Sequence, residues 1–283
     1  MSAPNDGTDT LHPAAAALAA RRADRRGHVT SRRGPAAFLA GEFVTEPDSR
    51  IDGAPGLWSP LAPGERGLLV RAAASEGVRI GGRLVDGDAV LHADDSTGPA
   101  IAEFPDGAEG VLFSYDDTTY ALQVWRSDSA WAKRFDDIAA YPWDAEWVVS
   151  ATVLPVAPGR TVAITHHRDP RPVPVPVVAE LAFTREGREH RLLATPGPEG
   201  DHELLVHFRD ATNGSESYAS GRSLRVRNSG GGVVELDFNH AELLPCSFSL
   251  AWNCPLPPAE NGLPIPVRAG ERNAVDADGV PIL

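Results

Sequence analysis

The feature that most constrains the fold is the spacing of proline and glycine between short runs of apolar residues. The chain has 283 residues, and its 25 prolines and 27 glycines are scattered between these runs. Both residue types favour turns, and short apolar runs between turns are typical of β-strands. The sequence lacks the strand–helix alternation that a parallel sheet requires. It therefore predicts a mainly β fold, an antiparallel sandwich or open barrel with a short N-terminal helix.

The helix is expected close to the N-terminus. Residues 11–26 carry a thin apolar stripe that includes Leu18, and arginines follow in the last turns, where positive charge suits the helix dipole. Gly27 is the expected end of this helix. We therefore divide the chain into an N-terminal tail and helix, residues 1–29, and a single β-rich domain, residues 30–275.

The charge balance excludes several classes of partner. A formal net charge of −13 argues against nucleic acid, and equally against an anionic membrane surface. Because no apolar run approaches about 18 residues, no transmembrane helix is expected. Acidic residues precede the Ala-rich N-terminal segment and arginines follow it, which is the reverse of a signal peptide. We expect a soluble cytoplasmic protein; its oligomeric state is left open.

Three motifs lie close together in the C-terminal third of the chain. They read Phe208-x-Asp210-x-Thr212-x-Gly214-x-x-x-Tyr218-x-x-Gly221-Arg222-x-Leu224, then Asp237-Phe238-Asn239-x-Ala241, then Cys254-Pro-x-Pro-Pro258-x-Glu260-Asn261-x-Leu263 with Ala269-Gly270-Glu271. This signature, residues 208–271, resembles that of a bacterial and archaeal family called domain of unknown function 1684. The family is uncharacterised, so the resemblance implies no reaction and leaves any cofactor unknown.

The chain departs from the family pattern at one place. After Asp-Phe-Asn-x-Ala the family runs Tyr-Asn-Pro-Pro-Cys, whereas residues 242–246 here read Glu-Leu-Leu-Pro-Cys. The Tyr and Asn of this loop are therefore replaced, which weakens a shared active-site role for it.

The polar residues of the signature have two interpretations. Asp210 stands before Thr212 and Gly214, an arrangement that caps a turn, but a carboxylate paired with Arg222 could also line a pocket. Asp237 and Asn239 share one face at the end of a strand, facing either solvent or a site.

The first functional hypothesis is a polar pocket for a small-molecule ligand or an enzyme reaction that cannot be assigned. Carboxylates gathered in a partly desolvated cleft would have separated pKa values and could divide acid and base roles. The candidate pocket residues are Asp210, Thr212, Arg222, Asp237, Asn239, Glu260, Asn261 and Glu271.

The alternative hypothesis is a non-catalytic structural or protein-interaction module. In that case the Asp, Asn and Gly of the signature bond only to nearby backbone. A Pro-rich connector, residues 166–176, is expected to form a long exposed loop, and its residues 168–176 could dock in a groove of another protein.

The two cysteines do not indicate a metal site. Cys246 and Cys254 are too few for a Cys-only zinc site, and the chain has no HxH, HExxH or CxxC spacing. A disulfide and a pair of buried reduced thiols both stay open, although a cytoplasmic setting favours the thiols.

Overall fold

The computed structural model describes residues 12–93, 99–114 and 118–283, so the predicted tail and Leu11, the predicted start of the helix, lie outside the described residues. The prediction of a mainly β, antiparallel fold with a short N-terminal helix is confirmed, and the sheets include a half-barrel. The strands in chain order are β1 Phe38–Phe43, β2 Ser49–Ile51, β3 Ala54–Pro60, β4 Gly67–Ala72, β5 Arg79–Ile80, β6 Arg83–Leu84, β7 Gly87–His92, β8 Ile101–Glu103, β9 Glu109–Ser114, β10 Tyr120–Trp125, β11 Asp137–Ala140, β12 Val148–Leu154, β13 Thr161–Ile164, β14 Val173–Pro176, β15 Ala179–Arg185, β16 Arg188–Gly197, β17 Gly200–Phe208, β18 Arg222–Arg227, β19 Val233–Asp237, β20 Glu242–Leu243 and β21 Glu271–Val275. The helices are α1 Pro13–Val29 and α2 Ala130–Arg134, together with short 3-10 turns.

Helix α1 extends beyond the predicted end at Gly27. Pro13 occupies the first turn, where its missing N–H costs nothing, and the helix continues to Val29, which is fully buried. Thr30 closes it, because its backbone N–H and its hydroxyl both donate to the Arg26 carbonyl. Burial of Val29 therefore outweighs the weak helix propensity of Gly27.

A seven-stranded sheet carries the signature. Its strand order is β19-β12-β15-β16-β17-β18-β20, and neighbouring strands are antiparallel. The core on its inner face contains Phe208 and Phe238, whose rings meet edge to face with centroids 5.4 Å apart. Such a pair contributes about 1 kcal/mol beyond the burial of its surface. This sheet is the frame on which the polar residues of the signature are placed.

The N-terminal half of the chain builds two further sheets around a separate hydrophobic core. A six-stranded sheet has the order β1-β10-β9-β8-β5-β6, and a four-stranded sheet has the order β2-β3-β4-β7. Trp58, Leu68 and Leu122 have no exposed surface in this core. The assignment of residues 30–275 to a single domain stays a prediction.

The Pro-rich connector was expected to be a loop throughout, but part of it forms a strand. Residues 173–176 form β14, which pairs with β13 in a two-stranded antiparallel sheet. Proline is tolerated in a strand with a free edge, because its missing N–H can point away from the partner strand. Val173 is 47% exposed, so the outer side of this hairpin faces solvent.

In the part of the chain that the structure describes, neither α1 nor any other helix combines the length and the apolar character needed to span a membrane.

Candidate functional site

Asp210 and Arg222 meet inside the protein. Arg222 begins β18, opposite Phe208 at the end of β17, and Asp210 follows two residues later. Nη2 of Arg222 donates to Oδ2 of Asp210 over 2.7 Å, and neither side chain has exposed surface. A buried ion pair is tolerated only when further hydrogen bonds replace the lost water.

Those further hydrogen bonds come from the backbone of the extended segment 254–271, which we call the strap. Nη1 of Arg222 donates to the carbonyls of Ala269 and Glu271, and Nη2 donates to the carbonyl of Val267 over 2.8 Å. The other carboxylate oxygen of Asp210 accepts from the backbone N–H of Val267 over 3.1 Å. Four hydrogen bonds therefore join the pair to the strap and fix the strap against the sheet.

Thr212 lies in the turn that follows Asp210. Its backbone N–H donates to Oδ1 of Asp210 over 2.9 Å, and its hydroxyl is 2.8 Å from that of Ser217. Thr212 is fully buried. This is the capped turn of the structural interpretation.

Asp237 and Asn239 form a second, separate set of contacts. The Asn239 amide accepts from the backbone N–H of Asp144 and donates to its carbonyl, both over 2.9 Å. Oδ1 of Asp237 accepts from the backbone N–H of Asn239 and from its side chain. The Asn239 side chain thus satisfies the backbone N–H and carbonyl of Asp144, 95 positions away in the sequence, as a neighbouring β-strand would.

Asn261 makes the same kind of contact elsewhere in the sheet, and Glu260 does not take part. The Asn261 amide accepts from the N–H of Leu193 over 2.7 Å and donates to the carbonyls of Leu193 and His207. It bridges β16 and β17 while being almost fully buried. Glu260 is exposed on the outside of the strap.

Glu271 connects the sheet to helix α1. One of its oxygens accepts from the backbone N–H of Leu243 over 2.7 Å, and the other lies 3.3 Å from Nε of Arg25. Burial raises the pKa of this carboxyl, and the charge of Arg25 opposes that rise. Glu271 therefore sits at the junction of β20, β21 and α1.

The eight predicted residues do not line one pocket. Asp210, Thr212 and Arg222 are together, whereas Asn239 and Asn261 bond to different backbone segments and Glu260 faces solvent. The small cleft beside Asn239 and Glu271 holds about 10 Å³, which is room for one water molecule at most. The buried members of the signature bond mainly to backbone groups of the chain.

A much larger cleft opens on the other side of β18. Side chains alternate along a strand, so Arg222 points into the core while Ser223, Arg225 and Arg227 point outward. Helix α1 lies beside this outward face. The charged cleft between them has a volume of about 640 Å³ and is lined by Arg21, Asp24, Arg25, His28, Glu199, His202, Glu203, Ser223, Arg225, Arg227, His240 and Glu242.

Ion pairs hold α1 at the rim of the charged cleft. Nη2 of Arg21 lies 2.7 Å from Glu242, and Arg25 donates to the Leu243 carbonyl over 3.0 Å. Arg22 donates to the carbonyl of Tyr141 over 2.7 Å. From the sequence, these arginines were explained by the helix dipole alone, and it was not predicted that they fix α1 to the sheet.

The charges on the floor of the cleft are only partly paired. Arg225 lies 3.7 Å from Glu203 on the neighbouring strand. The side chain of Arg227 has no ion-pair or hydrogen-bond partner among the described residues, although Arg227 stands opposite Glu203 in the register. An exposed guanidinium without a partner can take a carboxylate or phosphate in its planar fork.

Sequence reasoning did not identify the charged cleft, but two signals were present. Leu18, Arg22, Arg25 and Val29 are spaced for one helix face, which indicates that arginines belong to the docked side of α1. Ser223, Arg225 and Arg227 follow the two-residue period of a strand face.

In the described ranges, no group of three or more His, Cys, Asp or Glu side chains is placed to hold a metal ion.

These features define an antiparallel, mainly β protein with a helix docked over a charged cleft. A family model described as a protein of unknown function (DUF1684) matches residues 133–272. An uncharacterized protein of Haloarcula marismortui, solved by solution NMR, is 34% identical over 49% of this chain and 77% of that chain, with a TM-score of 0.41. No curated protein matches the chain.

The chain belongs to this family of unknown function, as its signature predicted. The matched segment contains the seven-stranded sheet and most of the charged cleft, whereas α1 lies outside it.

Proposed function

We propose that this protein binds a small anionic ligand in the charged cleft between α1 and β18. The supporting observation is the cleft itself, whose volume of about 640 Å³ falls within the range of small-molecule sites. The ligand would carry a phosphate or carboxylate group. This proposal keeps the ligand-binding function expected from the sequence but moves it away from Asp210 and Arg222, whose hydrogen bonds are made within the chain.

The arginines on the floor of the cleft favour an anion at that place. Arg225 and Arg227 are two residues apart on one strand face, and Arg227 is free to accept a new partner. On the facing wall, Arg21 and Arg25 are bonded to Glu242 and to the β20 backbone. An anion placed on the floor would therefore meet the unpaired guanidinium without displacing the contacts that hold α1.

The cytoplasmic location belongs to the same proposal. Cys246 and Cys254 are both free thiols. Thiols are normally kept reduced in the cytoplasm, so this state supports that compartment.

The experiment is a titration of the full chain with inorganic phosphate and, separately, citrate at low ionic strength, followed by isothermal calorimetry. We expect saturable binding of one of these anions. Replacement of Arg227 by Gln should weaken it on the order of tenfold, because a charge-assisted hydrogen bond is lost.

The matched control is Arg188→Gln, which removes an exposed strand arginine outside the cleft. Its affinity should equal that of the unmodified protein. Absence of saturable binding with both anions, or an equal loss in the two variants, would contradict the proposal.

A further inference from the structure

The fold brings the two cysteines of the chain into contact. The backbone N–H of Cys246 donates to Sγ of Cys254 over 3.2 Å, and both residues are buried. The neighbouring Cys254 thiol lowers the pKa of Cys246, and the Cys246 thiol together with burial raises the pKa of Cys254. Sγ of Cys254 therefore lies against the backbone of Cys246 in the reduced protein.

Local structure explains this proximity. Pro245 starts a short 3-10 turn that holds Cys246, and the chain then folds back so that Cys254 comes alongside it. The position of Cys246 is further fixed by Tyr218, whose hydroxyl donates to the Cys246 carbonyl over 3.1 Å. The Cys254 carbonyl accepts from the N–H of His167 over 2.8 Å.

The segment between the cysteines joins the N-terminal sheets to the signature. The ring of Trp252 stacks on Phe38 of β1 with centroids 3.9 Å apart, and its Nε1 donates to the Pro35 carbonyl. The hydroxyl of Ser249 donates to the Phe38 carbonyl over 2.8 Å. A covalent bond across the ends of this segment would fix that junction.

We infer that Cys246 and Cys254 form a site of reversible oxidation, where hydrogen peroxide joins the two sulfurs in a disulfide. The bond requires only local movement, because Sγ of Cys254 already lies 3.2 Å from the backbone nitrogen of Cys246. In a reducing compartment such a bond is transient, as in redox-sensing proteins. Burial of both thiols makes the reaction slow, since peroxide must reach them through local opening.

The chemistry balances with peroxide as the oxidant. The Cys246 thiolate attacks one peroxide oxygen, the O–O bond breaks, and the hydroxide released takes a proton and leaves as water. The sulfur of Cys254 then attacks the sulfenic acid of Cys246, so that the S–S bond forms, the S–O bond breaks and a second water leaves. Two thiols lose two electrons, which reduce the peroxide, and a dithiol reductant reverses the step by thiol–disulfide exchange.

The test treats the intact protein with hydrogen peroxide, then denatures it, alkylates it with iodoacetamide and measures its mass. We expect the product to lack two hydrogen atoms and to carry no alkyl group, and to regain both alkylation sites after dithiothreitol. The melting temperature of the oxidised protein should rise on the order of 5 °C, because a closed loop restricts the unfolded chain.

The variants Cys246→Ser and Cys254→Ser are the controls, and neither should lose two hydrogen atoms. The melting temperature measured on the unsubstituted protein does not depend on whether these variants fold. The inference would be overturned by any of three results after peroxide treatment: two thiols that still react with iodoacetamide, sulfinic acid without a disulfide, or disulfide-linked dimers only.

Discussion

Arg222 and Asp210 form an ion pair with no exposed surface, 2.7 Å apart, at the point where β18 meets the strap. Removing two charges from water is costly, and the pair is stable only because the carbonyls of Val267, Ala269 and Glu271 accept from the same guanidinium. Its Nε is buried without a hydrogen-bond partner among the described residues. Loss of either side chain would therefore leave the other charge buried without its partner.

Replacement of Asp210 by Ala should destabilise the protein by about 3–5 kcal/mol, because it leaves the Arg222 charge buried without its partner. Glu260→Ala is the control within the same signature, since Glu260 is exposed; its effect should stay within about 0.5 kcal/mol. Urea denaturation followed by circular dichroism measures both values. Equal losses in the two variants would show that the buried pair has no special role.

Replacement of Asn261 by Leu should cost about 3 kcal/mol. It removes three hydrogen bonds and leaves backbone groups of Leu193 and His207 buried and unpaired. The comparison variant is Asn273→Leu, which loses a single bond to the Glu216 carbonyl, and its cost should be about 1 kcal/mol. Urea denaturation gives the two losses, and amide hydrogen exchange at Leu193 should accelerate only in the Asn261 variant. The interpretation fails if exchange at Leu193 is unchanged.

Replacement of Arg25 by Ala should loosen helix α1. It removes the cation beside the buried carboxylate of Glu271 and the bond to the Leu243 carbonyl, at a cost of about 2–4 kcal/mol. Arg26→Ala is the matched control on the same helix, because Arg26 lies 3.7 Å from the exposed Asp136 and such pairs contribute about 0–1 kcal/mol. Hydrogen exchange of the α1 amides should rise only with Arg25→Ala; a rise in both variants, or in neither, would refute the docking role.

Stability should fall in acid because of His207. Burial, with the charge of His166 adding to it, lowers the pKa of His207 from 6.5 to about 4. The unfolded chain therefore binds more protons between these two values, so the free energy of unfolding decreases as pH falls from 6.5 to 4. Because the ring keeps partial contact with solvent, we expect this loss to be on the order of 2 kcal/mol.

The variant His207→Gln cannot take up this proton and should show a flatter dependence of unfolding free energy on pH over the same interval. His92→Gln, at an exposed position of β7, should retain the slope of the unsubstituted protein. Urea denaturation at pH 4, 5, 6 and 7 makes the comparison. An unchanged slope in His207→Gln would assign the acid sensitivity to other groups.

The fold class followed from local sequence because turns and strand periodicity are short-range properties. Hairpins such as β15–β16, which turn through Glu186 and Gly187 at positive φ, are encoded within a few residues. The end of α1 was not encoded in this way, because burial of Val29 depends on residues far along the chain.

The polar residues of the signature and the pairing of Asp210 with Arg222 were proposed from the sequence, but the distant backbone partners were not. Asn239 binds the backbone of Asp144, and Arg21 binds Glu242, which is 221 positions away. No local rule specifies contacts at such separations, since they depend on the path of the whole chain.

The sequence by itself determined a mainly β chain, one N-terminal helix and membership of its family. The tertiary structure decided which face of β18 is buried. Arginines occur on both faces of this strand, so alternation alone could not assign Arg222 to the core and Arg225 and Arg227 to the cleft. Tertiary packing determines the assignment. Carbonyl groups of the strap replace the water around the Arg222 guanidinium, whereas Arg225 and Arg227 stay exposed to solvent beside α1.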